Sequence, residues 1–276
     1  MKNKKSKYKT INNKLLQVIL FLSFVSITCR CTPTQDQQQV KDSTLTKHSE
    51  VQVAGDSLAL TIADSIMVHL GGTQAWQRTC CFRWNFFGKR RLWWDKNRQL
   101  ARIEWIGDSL VAIVHIPDTT GKVWKNGQLV THPDTLRMYL SKAVSAWIND
   151  SYWLFMPYKL KDPGVQLLYL GIDTTAKGLS THVLQLTFEG VGETPHNKYH
   201  VYVDTQDYLV RQWDYFRHYN DTVPTLRTPW ANWQWYGPVR LASDRGTRQL
   251  TEIAVYDTFP KGVFKDLSVQ QTGQSQ

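Results

Sequence analysis

Two hydrophobic periods divide the chain between residues 56 and 264. In DSLALTIADSIMVHLGG, Leu58, Ala59, Ile62, Ala63, Ile66, Met67 and Leu70 recur at three- and four-residue spacing. Asp56 precedes them as a good N-cap and Gly71 follows as a stop, so the segment predicts an amphipathic helix. From Trp76 onward the period drops to two. Ala101, Ile103 and Trp105 alternate with Arg102 and Glu104, and Leu110, Ala112, Val114 and Ile116 alternate with Ile113 and His115, which predicts a hairpin turning on GDS at 107–109. The same grammar places turns at Asp95 to Asn97, at Asn126-Gly127 and at Asp204 to Asp207. Leu184, Leu186 and Phe188 point one way on one strand, and Trp233 and Trp235 share a face on another.

One further stretch of helical period interrupts these strands. Pro133 suits a first helical position and Asp134 the positive helix start, while Leu136, Tyr139, Leu140, Ala143, Val144, Trp147 and Ile148 form one apolar stripe. Two helices and a long meander must bury their apolar faces together. The expected fold is therefore mainly β with α+β character, an antiparallel curved sheet (an incomplete β-barrel) plugged by two amphipathic helices.

The first 55 residues follow neither period. Six lysines up to Lys14 precede a largely apolar run from Leu15 to Ile27, a basic region and an apolar region of export-signal length, short for a spanning helix. Cysteines 29 and 31 follow at once. A cysteine leaving such a run is similar to the lipid-modified first residue of a bacterial lipoprotein, with Cys29 preferred because Arg30 would sit at the cleavage point of Cys31. An uncleaved anchor helix and ordinary cleavage are the alternatives. Residues 1–28 then form a lipoprotein-type signal peptide, 29–55 a polar tether, 56–264 the folded domain and 265–276 a tail. This places the chain in the cell envelope, lipid-anchored at the outer membrane and facing the periplasm.

Charge changes meaning under that reading. The net +10 falls to +4 once the six lysines of the leader are set aside, and the remaining basic residues are scattered, with no nucleic-acid footprint.

Little in the sequence announces catalysis. The tetrapeptide GDSL occurs at 55–58 and at 107–110. The first copy reads as helix-capping chemistry and the second as a hairpin turn, whereas a hydrolase serine belongs on a strand-to-helix turn facing a histidine. No histidine has an aspartate three positions before it, and no GxSxG is present. His196 and His200 have the spacing of helical metal ligands but fall on a loop and a strand, so no metal and no cofactor are expected. Cys80 and Cys81 are adjacent in a segment that reads as a strand, which predicts two unpaired thiols on opposite faces.

The helix ending in GGTQAW, followed by a meander plugged by a mid-chain helix on an exported chain, resembles the lipoprotein-carrier (LolA/LolB-like) superfamily of half-barrels. More closely, DSYWLFMPYKLKDPGVQLLYLG, VLQLTFEGVGETP and YHVYVDTQDYLVRQWDYF resemble a family of bacterial lipoproteins without an assigned activity, over residues 57 to 256. The resemblance implies a non-catalytic domain with lipid or lipoprotein acyl chains as its ligand. With twelve tryptophans in the chain, the residues expected to line a pocket are Trp147, Trp153, Trp233 and Trp235. Filling of the sheet–helix core is the alternative role for them. In MPYKLKDPGV, Pro157, Pro163 and Gly164 predict a rigid loop that Tyr158, Lys159 and Asp162 fix through hydrogen bonds.

Overall fold

The computed structural model describes residues 54–190 and 194–267. The signal-peptide expectation, both N-terminal cysteines and nearly all of the tether lie outside these residues. Within them the chain opens with β1 (Ala54–Gly55), α1 (Ser57–His69) and α2 (Gly72–Arg78). Asp56 caps α1 as expected, its Oδ1 accepting from Ala59 N at 2.7 Å. Its Oδ2 accepts from Tyr169 N at 2.6 Å, so one carboxylate both starts the helix and ties it to a strand more than a hundred residues away.

Six antiparallel strands follow in a meander: β2 (Cys81–Phe86), β3 (Arg90–Asp95), β4 (Leu100–Trp105), β5 (Leu110–His115), β6 (Thr120–Lys125) and β7 (Gln128–Leu129). The hairpins turn where the sequence places them. Asn126 and Gly127 both have positive φ, 51° and 79°, as a two-residue turn matched to strand twist requires. The second GDSL copy occupies the β4–β5 turn and the first the start of α1.

Helix α3 (Pro133–Phe155) leads through a single 3₁₀ turn (Met156–Tyr158) into β8 (Val165–Thr174), β9 (Ser180–Phe188), β10 (Lys198–Asp204), β11 (Val210–Phe216) and β12 (Leu226–Pro229). A separate hairpin, β13 (Ala231–Tyr236) and β14 (Val239–Asp244), precedes β15 (Leu250–Tyr256), which returns to pair with β2.

The result is mainly β, with two curved, mainly antiparallel sheets that do not close into a barrel, beside the two-stranded β13–β14 sheet. One has the order β15-β2-β3-β4-β5-β6-β7 and the other β1-β8-β9-β10-β11-β12. Helix α3 packs on β4, β5, β6 and β14, and its buried side includes Leu140, Ala143, Leu154 and Phe155. These join Ile62, Ile66, Leu70, Trp84, Leu92, Ile103, Leu184, Leu186, Val201 and Trp213 in one hydrophobic core.

Five expectations are corrected. The described residues form three α-helices, because Gly71, at φ 109°, reverses the chain and lets residues 72–78 begin a new one; period two starts at Cys81, and Trp76 is helical. The single long sheet is three among the described residues, since α3 separates β7 from β8, β8 pairs with β1 and β9 instead, and β13 and β14 pair only with each other. The end assigned to the tether, Ala54–Gly55, is β1, paired in parallel with Gln166 and Leu167. Organised structure runs past 264, because buried Arg102 donates to the carbonyls of Val263, Asp266 and Leu267. Finally, Cys80 and Cys81 are both free thiols with Cys81 buried, as expected, but their sulfurs lie 2.9 Å apart instead of on opposite faces: Cys80 precedes the first residue of β2, so strand alternation does not govern its side chain.

Candidate ligand seam along the long helix

Helix α3 carries the aromatic residues that the sequence nominates, but distributes them. Trp147 meets Trp94 of β3 edge-on, with ring centroids 5.4 Å apart. Trp153 lies six residues on, over half a turn further round the helix, and packs on Phe87 and on Trp213 of β11 at 5.3 and 4.9 Å. Trp147 therefore meets one sheet, whereas Trp153 bridges the end of β2 and β11 of the other sheet. Trp233 is half-buried and donates its indole N–H to Val210 O at 2.9 Å, joining the β13–β14 hairpin to β11. Trp235 is 57% exposed beneath the Arg240 guanidinium. The four residues thus sit at separate places, with Trp233 and Trp235 on a hairpin that forms a sheet of its own.

At the C-terminal end of α3 the interior is packed with rings. Phe155 contacts Trp76, Phe82, Trp84 and Trp94 at centroid distances of 4.8 to 5.6 Å, and Trp76 stacks on Tyr158 at 4.3 Å. Toward its N-terminal half the helix is less covered. Leu136, Tyr139, Val144, Trp147 and Ile148 are half-buried and Met138 is exposed. This leaves a half-buried apolar stripe on α3, most of it resting on the core, with β5 and β6 as its neighbours.

Several buried donors near α3 lack a protein acceptor. Among the described residues these include the indole N–H groups of Trp94, Trp147, Trp213 and Trp230 and the Tyr152 hydroxyl. Burial pushes the Tyr152 hydroxyl well above the ordinary phenol range, so it stays a neutral donor. Buried donors normally find partners, which makes this group chemically distinctive.

The motif loop behaves as a structural joint. The buried Tyr158 hydroxyl accepts from Arg240 N at 3.0 Å and points toward the carbonyls of Leu70 and Arg240 at 2.8 and 2.9 Å, joining the end of α1 to β14. Burial raises its pKa above the ordinary range. Lys159 pairs with Asp162, whose carbonyl accepts from Val165 N at 3.1 Å, and Gly164 takes φ 82°. Pro157 is buried and Pro163 exposed. Just upstream, buried Asp150 accepts both arms of Arg90 at 2.6 and 2.7 Å, fixing α3 to β3.

Two arrangements were not visible in the sequence. His69, Tyr208, His182 and Tyr169 form a column of partly exposed rings, with centroids 5.5, 6.0 and 5.7 Å apart in turn; they come from four separate elements, and no spacing signals it. Buried Arg245 lies 3.5 Å over Trp230 and donates to Trp153 O, capping the end of α3. His196 is exposed and His200 half-buried, in line with a loop and a strand. Among the described residues no group of three or more potential ligands is placed to hold a metal ion, and no helix is long and apolar enough to cross a membrane.

No family model matches the chain, and no curated protein matches it. Among solved structures it is similar to a DUF1329 family protein from Desulfovibrio piger, at 10% identity and a TM-score of 0.39, over 75% of this chain and 97% of that one.

Proposed function

We propose that the protein is a membrane-tethered envelope lipoprotein that binds a hydrophobic ligand, a lipid or acyl chain, without transforming it. The observation carrying this reading is the seam along α3: a half-buried apolar stripe beside unmatched indole donors. Such a lining suits an amphiphile whose chain lies on Leu136, Val144 and Ile148 and whose polar end accepts from the Trp147 N–H group. Tethering through Cys29 would keep the domain beside its source of lipid.

A second reading, an envelope structural or interaction protein with a filled core, draws on the ring packing around Phe155 and on exposed Trp235. Native mass spectrometry with solvent extraction, on protein purified without detergent from its host's envelope, separates them. Ligand binding predicts a reproducible lipid that is lost on Trp147→Arg, while Trp235→Arg retains it and circular dichroism stays unchanged for both. An apo mass that also fails to take up added palmitate or phospholipid favours the filled core.

A further inference from the structure

The adjacent cysteines are the other chemically pointed feature. Cys81 is buried as the first residue of β2, paired with Asp95 on one side and Tyr256 on the other, while Cys80 is partly exposed. Their sulfurs are 2.9 Å apart, and both face the Asp257 carbonyl, at 3.3 Å from Cys80 and 3.9 Å from Cys81. The backbone here is fixed: Cys80 O accepts from Lys96 N at 2.7 Å, and Thr79 N donates to Ala75 O at 3.0 Å. Two thiols are thus held together on one side of the chain by elements that precede and follow them.

We propose that Cys80 and Cys81 form a reversible redox site that exchanges with external disulfides. Cys80 is the residue that reagents reach. As a thiolate it attacks one sulfur of the incoming disulfide; that S–S bond breaks, and the departing thiolate takes up a proton. Cys81 then gives up its proton and attacks Cys80 Sγ, displacing the second thiolate and closing an eight-membered ring. Two electrons pass from the cysteine pair to the external disulfide, which becomes two thiols. Burial holds the Cys81 thiol protonated, which suits a resolving rather than an initiating role.

Reversibility follows from geometry. Neighbouring Cα atoms are about 3.8 Å apart across a trans peptide, closer than the usual span of a disulfide, so the ring is strained and readily reduced. Closure also removes both S–H donors from Asp257 O. That carbonyl lies just past the end of β15, so the redox state is transmitted to the segment Asp257–Leu267 that Arg102 anchors.

The test treats the full chain with oxidised glutathione, alkylates remaining thiols with iodoacetamide and digests with trypsin, which releases Thr79–Arg83 apart from the N-terminal cysteines. The expected peptide is unalkylated and lighter by two hydrogens than the dithiol form, and dithiothreitol restores double alkylation. With Cys81→Ser the same peptide should retain one glutathione, because nothing resolves the mixed disulfide; with Cys80→Ser it should carry none. A wild-type peptide that stays doubly alkylated, or that retains glutathione as Cys81→Ser does, overturns the proposal. The wild-type result decides even if a variant fails to fold.

Discussion

Replacing Tyr158 by phenylalanine isolates the joint between α1, the 3₁₀ turn and β14. The ring remains and keeps its stack on Trp76 at 4.3 Å; only the hydroxyl is lost. Three backbone groups then change partners. Arg240 N and Leu70 O keep each other, since they already bond at 3.1 Å, so the Arg240 carbonyl and the lost neutral hydrogen bond carry the penalty. Breaking a buried neutral bond while two of its three partners remain satisfied costs about 1–2 kcal/mol. For a folded region of this size that lowers the melting temperature by about 2–8 °C. Urea unfolding followed by tryptophan fluorescence should show a lower midpoint with the same slope, meaning that stability changed and not the surface exposed. Tyr158→Ala, which also loses the stack and opens a cavity, should cost about 3–5 kcal/mol. A phenylalanine variant within about 0.5 kcal/mol of wild type, the range of an ordinary surface change, would refute the joint; so would one as damaged as the alanine variant.

Other perturbations have equally definite outcomes. Asp150→Ala leaves Arg90 without its carboxylate and should destabilise by about 2–4 kcal/mol in urea, toward the lower end for a broken buried pair because Arg90 keeps 19% side-chain exposure; Asp150→Leu with Arg90→Met should recover much of the loss. At Gly71 a Cβ would sit 2.2 Å from Pro238 O at φ 109°, so Gly71→Ala should cost at least about 2 kcal/mol. Gly72→Ala has positive φ but open space and should cost about 1 kcal/mol, measured the same way. Asp118 is pulled down to about 2, first by the Thr120 N–H at 3.0 Å, then by the Thr120 hydroxyl and His115. Its carboxylate therefore supports the fold fully above its ordinary value near 3.8 and loses that contribution as pH falls through about 2. A carboxyl-carbon NMR titration should show that midpoint, and Thr120→Ala should raise it only partly, because the backbone donor remains.

Local patterns were legible wherever neighbours in sequence are also neighbours in space. The Asp56 cap, the Asn126-Gly127 turn, the β4–β5 hairpin and the stripe of α3 each depend on residues within a few positions, and each lies where the sequence places it. Even the roles of Tyr158, Lys159 and Asp162 in fixing a loop could be anticipated, although the long-range partners of Tyr158, the backbones of Leu70 and Arg240, could not. The helix at Gly72–Arg78 escaped because seven residues carry too little period to register, and Trp76 then belongs to the packing around Phe155.

By itself the sequence determined the type of α1, α3 and most of the hairpin strands and the mainly antiparallel, mainly β class, because helix stripes, strand alternation and turn chemistry are short-range consequences of backbone geometry. Only the tertiary structure decided how those elements divide into two open sheets and a separate hairpin, which side of α3 each tryptophan addresses, that Trp235 faces outward, and that two adjacent thiols face one carbonyl. Those outcomes depend on strand partners distant in sequence, such as β15 beside β2 and Asp56 beside Tyr169, and on burial that no local period encodes.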